Sequence, residues 1–302
     1  MKIAISGLGR MGGQIAQKLA EGGHEVIANN RSPEPIDEAV KHGAKAAYKK
    51  EDVVAAFDGR LVVLWIMLPA EIIDAQLDEW LKLVPKGSLI IDGGNSDFRH
   101  DKARAERVKA AGSSFMDVGT SGGVWGYKNG FSMMAGGDEA SFKQLEPALK
   151  TLAQPSGAYQ YFGGSGAGHF VKMVHNAIEY GMMESLAEGY RVLKEGPYKE
   201  LDLAAAGEVW QHGSVVTSWL NELSRQALAE NPELQGIDGR VAESGEACWT
   251  LEVAEQYGID TPAIRQSFDV RLASQKGQVT FATKLLAAMR NKFGGHDLNP
   301  RP

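Results

Sequence analysis

A short apolar run, Lys2–Ser6, leads directly into Gly7-Leu8-Gly9-Arg10-Met11-Gly12, and a helix-forming stretch, Gln14–Glu21, follows. This G-x-G-x-x-G segment constrains the chain more than any other feature, because it sits between a predicted strand and a predicted helix. That context separates a dinucleotide loop from an ordinary glycine-rich turn. The first glycine permits a tight turn and the second lets backbone approach a pyrophosphate. The third lets helix and strand pack closely, and the helix N-terminus attracts the anion. Gly7, Leu8, Gly9, Arg10, Met11 and Gly12 are therefore candidate cofactor-binding residues.

The alternation continues. Glu25–Ala28, Leu61–Leu68 and Ser88–Ile91 read as buried strands, with Pro35–His42, Glu71–Leu83 and Asp101–Ala111 as the helices between and after them. Strand–helix alternation implies right-handed crossovers and a mainly parallel sheet. Phe115–Val118, Ser132–Ala135 and Tyr159–Phe162 read as further short strands on a mixed side of the sheet. After the joint Phe162-Gly163-Gly164-Ser165-Gly166-Ala167-Gly168 the pattern is helical throughout. The helices expected there are His169–Lys194, Leu201–His212, Val215–Ala229, Glu246–Tyr257, Pro262–Ser274 and Val279–Arg290. The fold class is an α/β Rossmann-type N-terminal domain, residues 1–163, followed by an all-helical substrate and oligomerisation domain, residues 164–302.

At the end of the second strand an NAD enzyme usually carries an acidic residue for the ribose 2′-hydroxyl. This chain has Asn30-Arg31-Ser32. A carboxylate would repel a 2′-phosphate, whereas Arg31 offers it a bidentate fork. NADP is favoured, with NAD as the alternative if Arg31 is only a solvated loop residue. Asn30, Arg31, Ser32, Met67, Leu68 and Asn95 complete the expected cofactor set.

In the second domain Lys172, His175, Asn176, Glu179 and Tyr180 fall at i, i+3, i+4, i+7 and i+8 and form one polar stripe on a helix. Val171, Val174 and Ile178 are expected beside or behind it, in the apolar pattern of a packed helix. A solvated helix face is the bland alternative. Two loops weigh against it: Asp92-Gly93-Gly94-Asn95-Ser96, and Asp117-Val118-Gly119-Thr120-Ser121-Gly122-Gly123. Both follow strands, where ligands bind in open α/β sheets.

The segments GLGRMG, IIDGGNS, DVGTSGG and GHFVKMVHNAIEYG resemble the 6-phosphogluconate dehydrogenase family, within the β-hydroxyacid dehydrogenases. The chain looks like a short form that lacks an extended helical C-terminal region. The resemblance implies oxidative decarboxylation of 6-phosphogluconate to ribulose 5-phosphate, with Lys172 as general base and Glu179 as general acid. It implies that Asn95, Ser121, Gly122, Gly123, His175 and Asn176 hold the sugar-acid end, and that Tyr180 and Arg271 hold the phosphate. Arg290 and His296, six apart, resemble a pair that reaches a neighbouring subunit's site, so a homo-oligomer is implied. Long forms carry a phosphate-binding lysine before a Trp-Thr pair, where this chain has Cys248, leaving Arg271, Arg290 and Lys276 to supply positive charge.

The chemistry suits that residue set. A lysine can take a hydroxyl proton only when neutral, so its pKa must fall well below about 10.4. Oxidation gives a 3-keto acid, whose carboxylate departs because the ketone accepts the electron pair. The protonated lysine then stabilises the enolate, and the glutamic acid protonates carbon 1 of the enediol left after carbon dioxide departs.

Other classes fit less well. A non-decarboxylating β-hydroxyacid dehydrogenase or imine reductase shares the expected fold, but His175, Glu179, Tyr180 and Arg271 favour a larger phosphorylated substrate. A non-catalytic NADP-binding sensor or scaffold has no need of both Lys172 and Glu179. The seven histidines show neither H-x-x-x-H nor H-E-x-x-H spacing, which argues against a metal hydrolase, and no metal is expected. The net charge of −6, with no basic stripe, disfavours nucleic acid. No run reaches the roughly 18 apolar residues of a membrane span. With a single cysteine and no room for a signal peptide before the first strand, a cytoplasmic location is the expectation.

Overall fold

The computed structural model describes residues 1–299. Residues from Met1 to Lys172 and from Met173 onward form two compact units.

The first unit holds one eight-stranded sheet. Its strands are β1 (Lys2–Ser6), β2 (Glu25–Asn29), β3 (Lys45–Ala47), β4 (Val63–Ile66), β5 (Leu89–Asp92), β6 (Ser114–Ser121), β7 (Ser132–Gly137) and β8 (Tyr159–Gly163). They lie in the order β3-β2-β1-β4-β5-β6-β7-β8. All neighbours are parallel except β6 and β7, which run antiparallel from Met116↔Gly137 to Ser121↔Ser132. The strand order reverses beside β1, at the crevice where open α/β sheets bind ligands. Every residue of β4 and β5 is buried. Both sheet faces are covered, which is why these strands read as continuous apolar runs rather than alternating ones.

The helices of this unit are α1 (Arg10–Glu21), α2 (Glu34–Lys41), α3 (Lys50–Ala56), α4 (Ile73–Leu81), α5 (Asp101–Ala110), α6 (Gly126–Asn129) and α7 (Glu139–Ala153). Four elements escaped the sequence reading, among them α6, which has only four residues. β3 is a three-residue edge strand with two exposed residues, so it carries no apolar run. α3, of seven residues, buries only Val53. α7 contains Pro147, a residue that normally breaks a helical pattern, yet Leu145, Ala148, Leu149 and Leu152 lie in the core.

α8 (Ala167–Glu195) is a 29-residue helix, and the division between the units falls on it after Lys172. The second unit continues with α9 (Leu203–Gln211), α10 (Trp219–Glu230), α11 (Glu246–Gln256), α12 (Pro262–Gln275) and α13 (Phe281–Gly294). Among the described residues it contains no strand, as expected. Three helix starts are capped by side chains. Asp202 accepts from Ala205 N, Ser218 from Asn221 N and Thr280 from Thr283 N, each cap contributing about 1 kcal/mol. Met183, Ala187 and Tyr190 of α8 share a core with Leu220, Leu223 and Leu228 of α10 and Leu285, Leu286 and Met289 of α13. α13 runs four residues past the expected end at Arg290. Phe293 and Leu298 pack against the same core, so the polar tail is tied down by apolar residues at wide spacing. No helix among the described residues is long and apolar enough to cross a membrane.

Candidate active site

In the sheet unit the glycine loop leaves β1 with Gly7 at φ +98°. A Cβ on Gly12 would lie 2.0 Å from the Gly7 carbonyl oxygen, so no larger residue fits where helix meets loop. A Cβ on Gly9, the N-cap of α1, would meet nothing within 4 Å. Neither a capping side chain nor an acidic residue occupies the first turn of α1. Its N-terminal N–H groups are thus available to an anion, and the loop fits a dinucleotide pyrophosphate. The loop is also fastened to the second strand, because Leu8 N donates to Asn30 Oδ1 at 3.0 Å. Asn30 Nδ2 in turn donates to the Ser32 carbonyl and hydroxyl oxygens. Asn30 thereby sets the turn that leaves Arg31 and Ser32 exposed at the rim. Met67 and Leu68 lie against Gly7, and the Leu68 carbonyl lies against Gly94. The expected cofactor residues therefore converge on the ends of β1, β2, β4 and β5.

The two substrate loops are organised by acidic residues to which sequence reasoning assigned no role. Asp92 accepts from Gly94 N at 3.0 Å and from the Ser96 hydroxyl at 2.7 Å, folding its loop so that Asn95 is exposed. Asp117 accepts from Gly166 N at 2.7 Å and His169 N at 2.9 Å. It is an N-terminal anchor for α8, in line with the helix dipole. His169 Nδ1 lies 2.6 Å from Asp101, and Arg104 joins the cluster at 3.1 Å from Asp101 and 3.4 Å from Asp92. Asp92, Asp101 and His169 present ligand atoms within 4.8 Å of one another. Asp92 and Asp101 hold the Arg104 guanidinium there. Burial pulls the His169 pKa down, but Asp101, then Asp92 and Asp117, outweigh it and raise it to about 9. The imidazolium is thus fixed at the root of α8.

Lys172 follows within the same turn of helix. A Cβ on Gly119 would lie 2.3 Å from the Lys172 Cβ and 2.8 Å from its Cγ, and one on Gly168 would lie 2.4 Å from the Met134 carbonyl. The first turn of α8 is therefore laid directly on the backbone of β6 and β7. This explains why glycine stands at both positions. Ser121 ends β6, and Gly122 and Gly123 follow with φ +128° and +52°.

In the helical unit the polar stripe is not uniformly wet. His175, Asn176 and Glu179 are half-buried, whereas Tyr180 is buried and Ile178 is 51 % exposed. The apolar face of α8 is Met173, Ala177, Met183 and Ala187, not the expected face that included Ile178. Side-chain volume misled the pattern, because small Ala177 takes the interior position.

Tyr180 lies under Arg271, whose guanidinium carbon is 3.2 Å from the ring centroid, and Ser244 N donates to the Tyr180 hydroxyl at 3.2 Å. Arg271 is 2 % exposed, and neither it nor buried Arg290 pairs with a carboxylate among the described residues. Burial, with Arg290's charge adding to it, lowers Arg271 to about 10 against the pull of Tyr180, Glu179 and Glu184. Arg290 is lowered likewise by burial. Two desolvated guanidiniums without a carboxylate are costly unless an anion completes them, and their forks match phosphate. The resemblance implied that Arg290 serves a neighbouring subunit. Within this chain its charge acts on the same group of residues as Arg271. His296 is half-buried, its ring 6.2 Å from Phe293. Lys276 is exposed. Cys248 donates to Glu252 at 3.6 Å, and burial raises its thiol pKa, with Arg265 among the charges acting on it.

A glycine loop at a sheet switch point, an uncapped helix N-terminus and a lysine seated at the start of a long helix define an NAD(P)-dependent dehydrogenase. Comparison with known proteins narrows the class. The chain belongs to the 6-phosphogluconate dehydrogenase family: residues 2–164 match its NAD binding domain and residues 168–297 its C-terminal domain. It is 36% identical over 300 residues to the NAD(+)-dependent, decarboxylating 6-phosphogluconate dehydrogenase of Haloferax volcanii, covering 99% of this chain and 98% of that protein. The Plasmodium falciparum 6-phosphogluconate dehydrogenase, solved apo, with its cofactor NADP+ and with its substrate 6-phosphogluconate, superposes with a TM-score of 0.83 at 25% identity. That match covers 100% of this chain and 67% of the other. The 3-hydroxyisobutyrate dehydrogenase of Mycobacterium tuberculosis shares the fold, with a TM-score of 0.72 at 22% identity over 94% of this chain and 98% of the other.

Proposed function

We propose that this chain oxidises 6-phosphogluconate and releases carbon dioxide and ribulose 5-phosphate, with NADP+ favoured as hydride acceptor. The observation that carries the reading is the buried pair Arg271 and Arg290, without a carboxylate partner among the described residues and under the electrostatic influence of Glu179 and Tyr180. A sugar phosphate supplies the missing dianion, which an unphosphorylated 3-hydroxy acid does not.

The cofactor, held by Gly7–Gly12 with Asn30, Arg31, Ser32, Met67, Leu68 and Asn95, accepts the hydride when bound. In this reading Lys172 removes the proton of the 3-hydroxyl. As an ammonium it then stabilises the enolate oxygen that forms when the carboxylate leaves. Glu179 protonates carbon 1 of the enediol. Base and acid stand seven residues apart on one helix, so their spacing is set before substrate arrives. Asn95, Ser121, Gly122, Gly123, His175 and Asn176 orient the sugar-acid end. A homo-oligomer, with His296 contributing to a neighbouring copy, belongs to the same reading.

The test is to supply 6-phosphogluconate with NADP+ or NAD+ and measure reduced cofactor and carbon dioxide together. Equal amounts of both are expected. Cofactor reduction without carbon dioxide, or turnover only of unphosphorylated 3-hydroxy acids, would remove the decarboxylating reading.

A further inference from the structure

α1 begins at the dinucleotide loop, and Gln14, Lys18 and Glu21 lie along one face of it, at i, i+4 and i+7. All three reach the same neighbour, the segment 122–130 between β6 and β7. Gln14 Nε2 donates to the Val124 carbonyl at 3.0 Å. Lys18 Nζ donates to the Tyr127 carbonyl at 2.6 Å and stands 5.8 Å from the centre of the Tyr127 ring. The Tyr127 hydroxyl in turn donates to Glu21 at 2.6 Å. The segment starts and ends on glycines of positive φ, Gly122 and Gly130. Its inner side lies on buried Phe131, whose ring is 2.0 Å from where a Gly126 Cβ would stand.

Gln14 makes its contact at a cost. Its Oε1 is buried with no partner among the described residues, and an unpaired buried acceptor destabilises a fold. Methionine has a similar length and would not bring that penalty. Stability alone does not call for glutamine here, whereas the Val124 carbonyl calls for a donor, which the amide NH2 supplies.

We infer that Gln14 and Lys18 are positioning residues that fasten the 122–130 segment to the cofactor helix, and so fix where Gly122 and Gly123 stand relative to the dinucleotide loop. One helix then sets both places. Its N-terminus faces the pyrophosphate site, and its next two turns hold the segment that the proposed function gives to the sugar-acid end. Groups held in this way orient a ligand without first having to be ordered by it. The inference rests on the proposed function in taking Gly122 and Gly123 as substrate-holding groups.

The experiment uses the full chain and three variants, Gln14→Met, Lys18→Met and Lys18→Arg. Hydrogen exchange, read by mass spectrometry on peptides spanning 122–131, needs no substrate. The N–H groups followed include that of Trp125, bonded to the Gly122 carbonyl, and that of Gly130, bonded to the Gly126 carbonyl. Each methionine variant should quicken exchange there about tenfold, the scale of one hydrogen bond, with peptides of β1 and β4 unchanged. KM for 6-phosphogluconate should rise about tenfold in both, with cofactor affinity held within about twofold. Gln14→Met should nevertheless melt no lower than the wild type, because the orphan acceptor is gone. Lys18→Arg, which still donates, should keep the wild-type KM.

Unchanged exchange over 122–131 in Gln14→Met, or faster exchange with an unchanged KM, overturns the inference. A lower melting temperature in Gln14→Met does so too, since the raised KM would then report loosening of the fold at large. Should Lys18→Met fail to fold, Gln14→Met carries the same readings. If exchange quickens as expected but the wild type does not turn over 6-phosphogluconate, the fastening stands and the proposed substrate falls.

Discussion

Gly119→Ala tests the seating of Lys172 without altering its side chain or the cofactor loop. The new Cβ would stand 2.3 Å from the Lys172 Cβ, against an ordinary van der Waals contact of at least 3.4 Å. The first turn of α8 or the end of β6 must therefore give way by roughly 1 Å. The neighbours offer little slack, since Gly168 lies against Met134 and Asp117 backbone and Asp117 holds two N–H groups of the same turn. Overpacking of this kind costs about 1–3 kcal/mol of stability. A reacting group displaced by about 1 Å loses on the order of a hundredfold in rate. Steady-state kinetics on 6-phosphogluconate should therefore show kcat reduced about a hundredfold. Cofactor affinity, read by fluorescence titration, should hold within about twofold, because the loop Gly7–Gly12 lies on a different strand. A variant with kcat within twofold of wild type would refute the argument that backbone contact at Gly119 places the base.

Lys172→Ala should abolish turnover while retaining cofactor binding, and residual activity above a few per cent would remove Lys172 as base. Glu179→Gln should slow ketopentose release, so normal release by that variant would count against its acid role. Arg31→Ala should raise KM for NADP+ about tenfold or more while leaving NAD+ unaffected, as expected for loss of a guanidinium–phosphate fork, and an equal effect on both cofactors would make Arg31 a bystander. His169 titrates at about 9 in the fold against an ordinary 6.5, so the folded chain holds a proton that the unfolded chain releases. The stabilisation is complete below about pH 6.5 and is lost as pH rises through about 9, amounting to a few kcal/mol. Melting temperature should fall across that window, and Asp101→Asn should flatten the slope.

The parallel strands around the glycine loop were legible because buried parallel strands leave uninterrupted apolar runs. The stripe from Lys172 to Tyr180 was legible because helical spacing survives any tertiary context. What stayed hidden depends on distance in space. Asp101 and His169 are 68 residues apart, and nothing local in either segment announces a buried pair. Glu246 and Asn176 are separated by 70, and in sequence Glu246 is one more acidic residue at a helix start. β3 and α3 were missed because short edge elements bury too little to leave a pattern, and α7 because Pro147 interrupts one. Arg271 was found through resemblance. Its stacking on Tyr180, and its lack of a carboxylate partner among the described residues, emerge only when α8 and α12 are seen together.

The two groups proposed to exchange protons with substrate are carried by one uninterrupted helix, with Lys172 ending one compact unit and Glu179 lying in the next. An α-helix turns about 100° per residue, so seven residues bring the two nearly into line. One inserted or deleted residue between them would swing the acid by about a quarter of a circle. Hybrid proteins that borrow a helical unit from a longer relative should therefore be spliced before the helix, in the Gly163–Gly166 segment. A junction after Lys172 demands register to the residue, and the segment 172–179 behaves as a ruler that recombination can transplant whole but cannot lengthen.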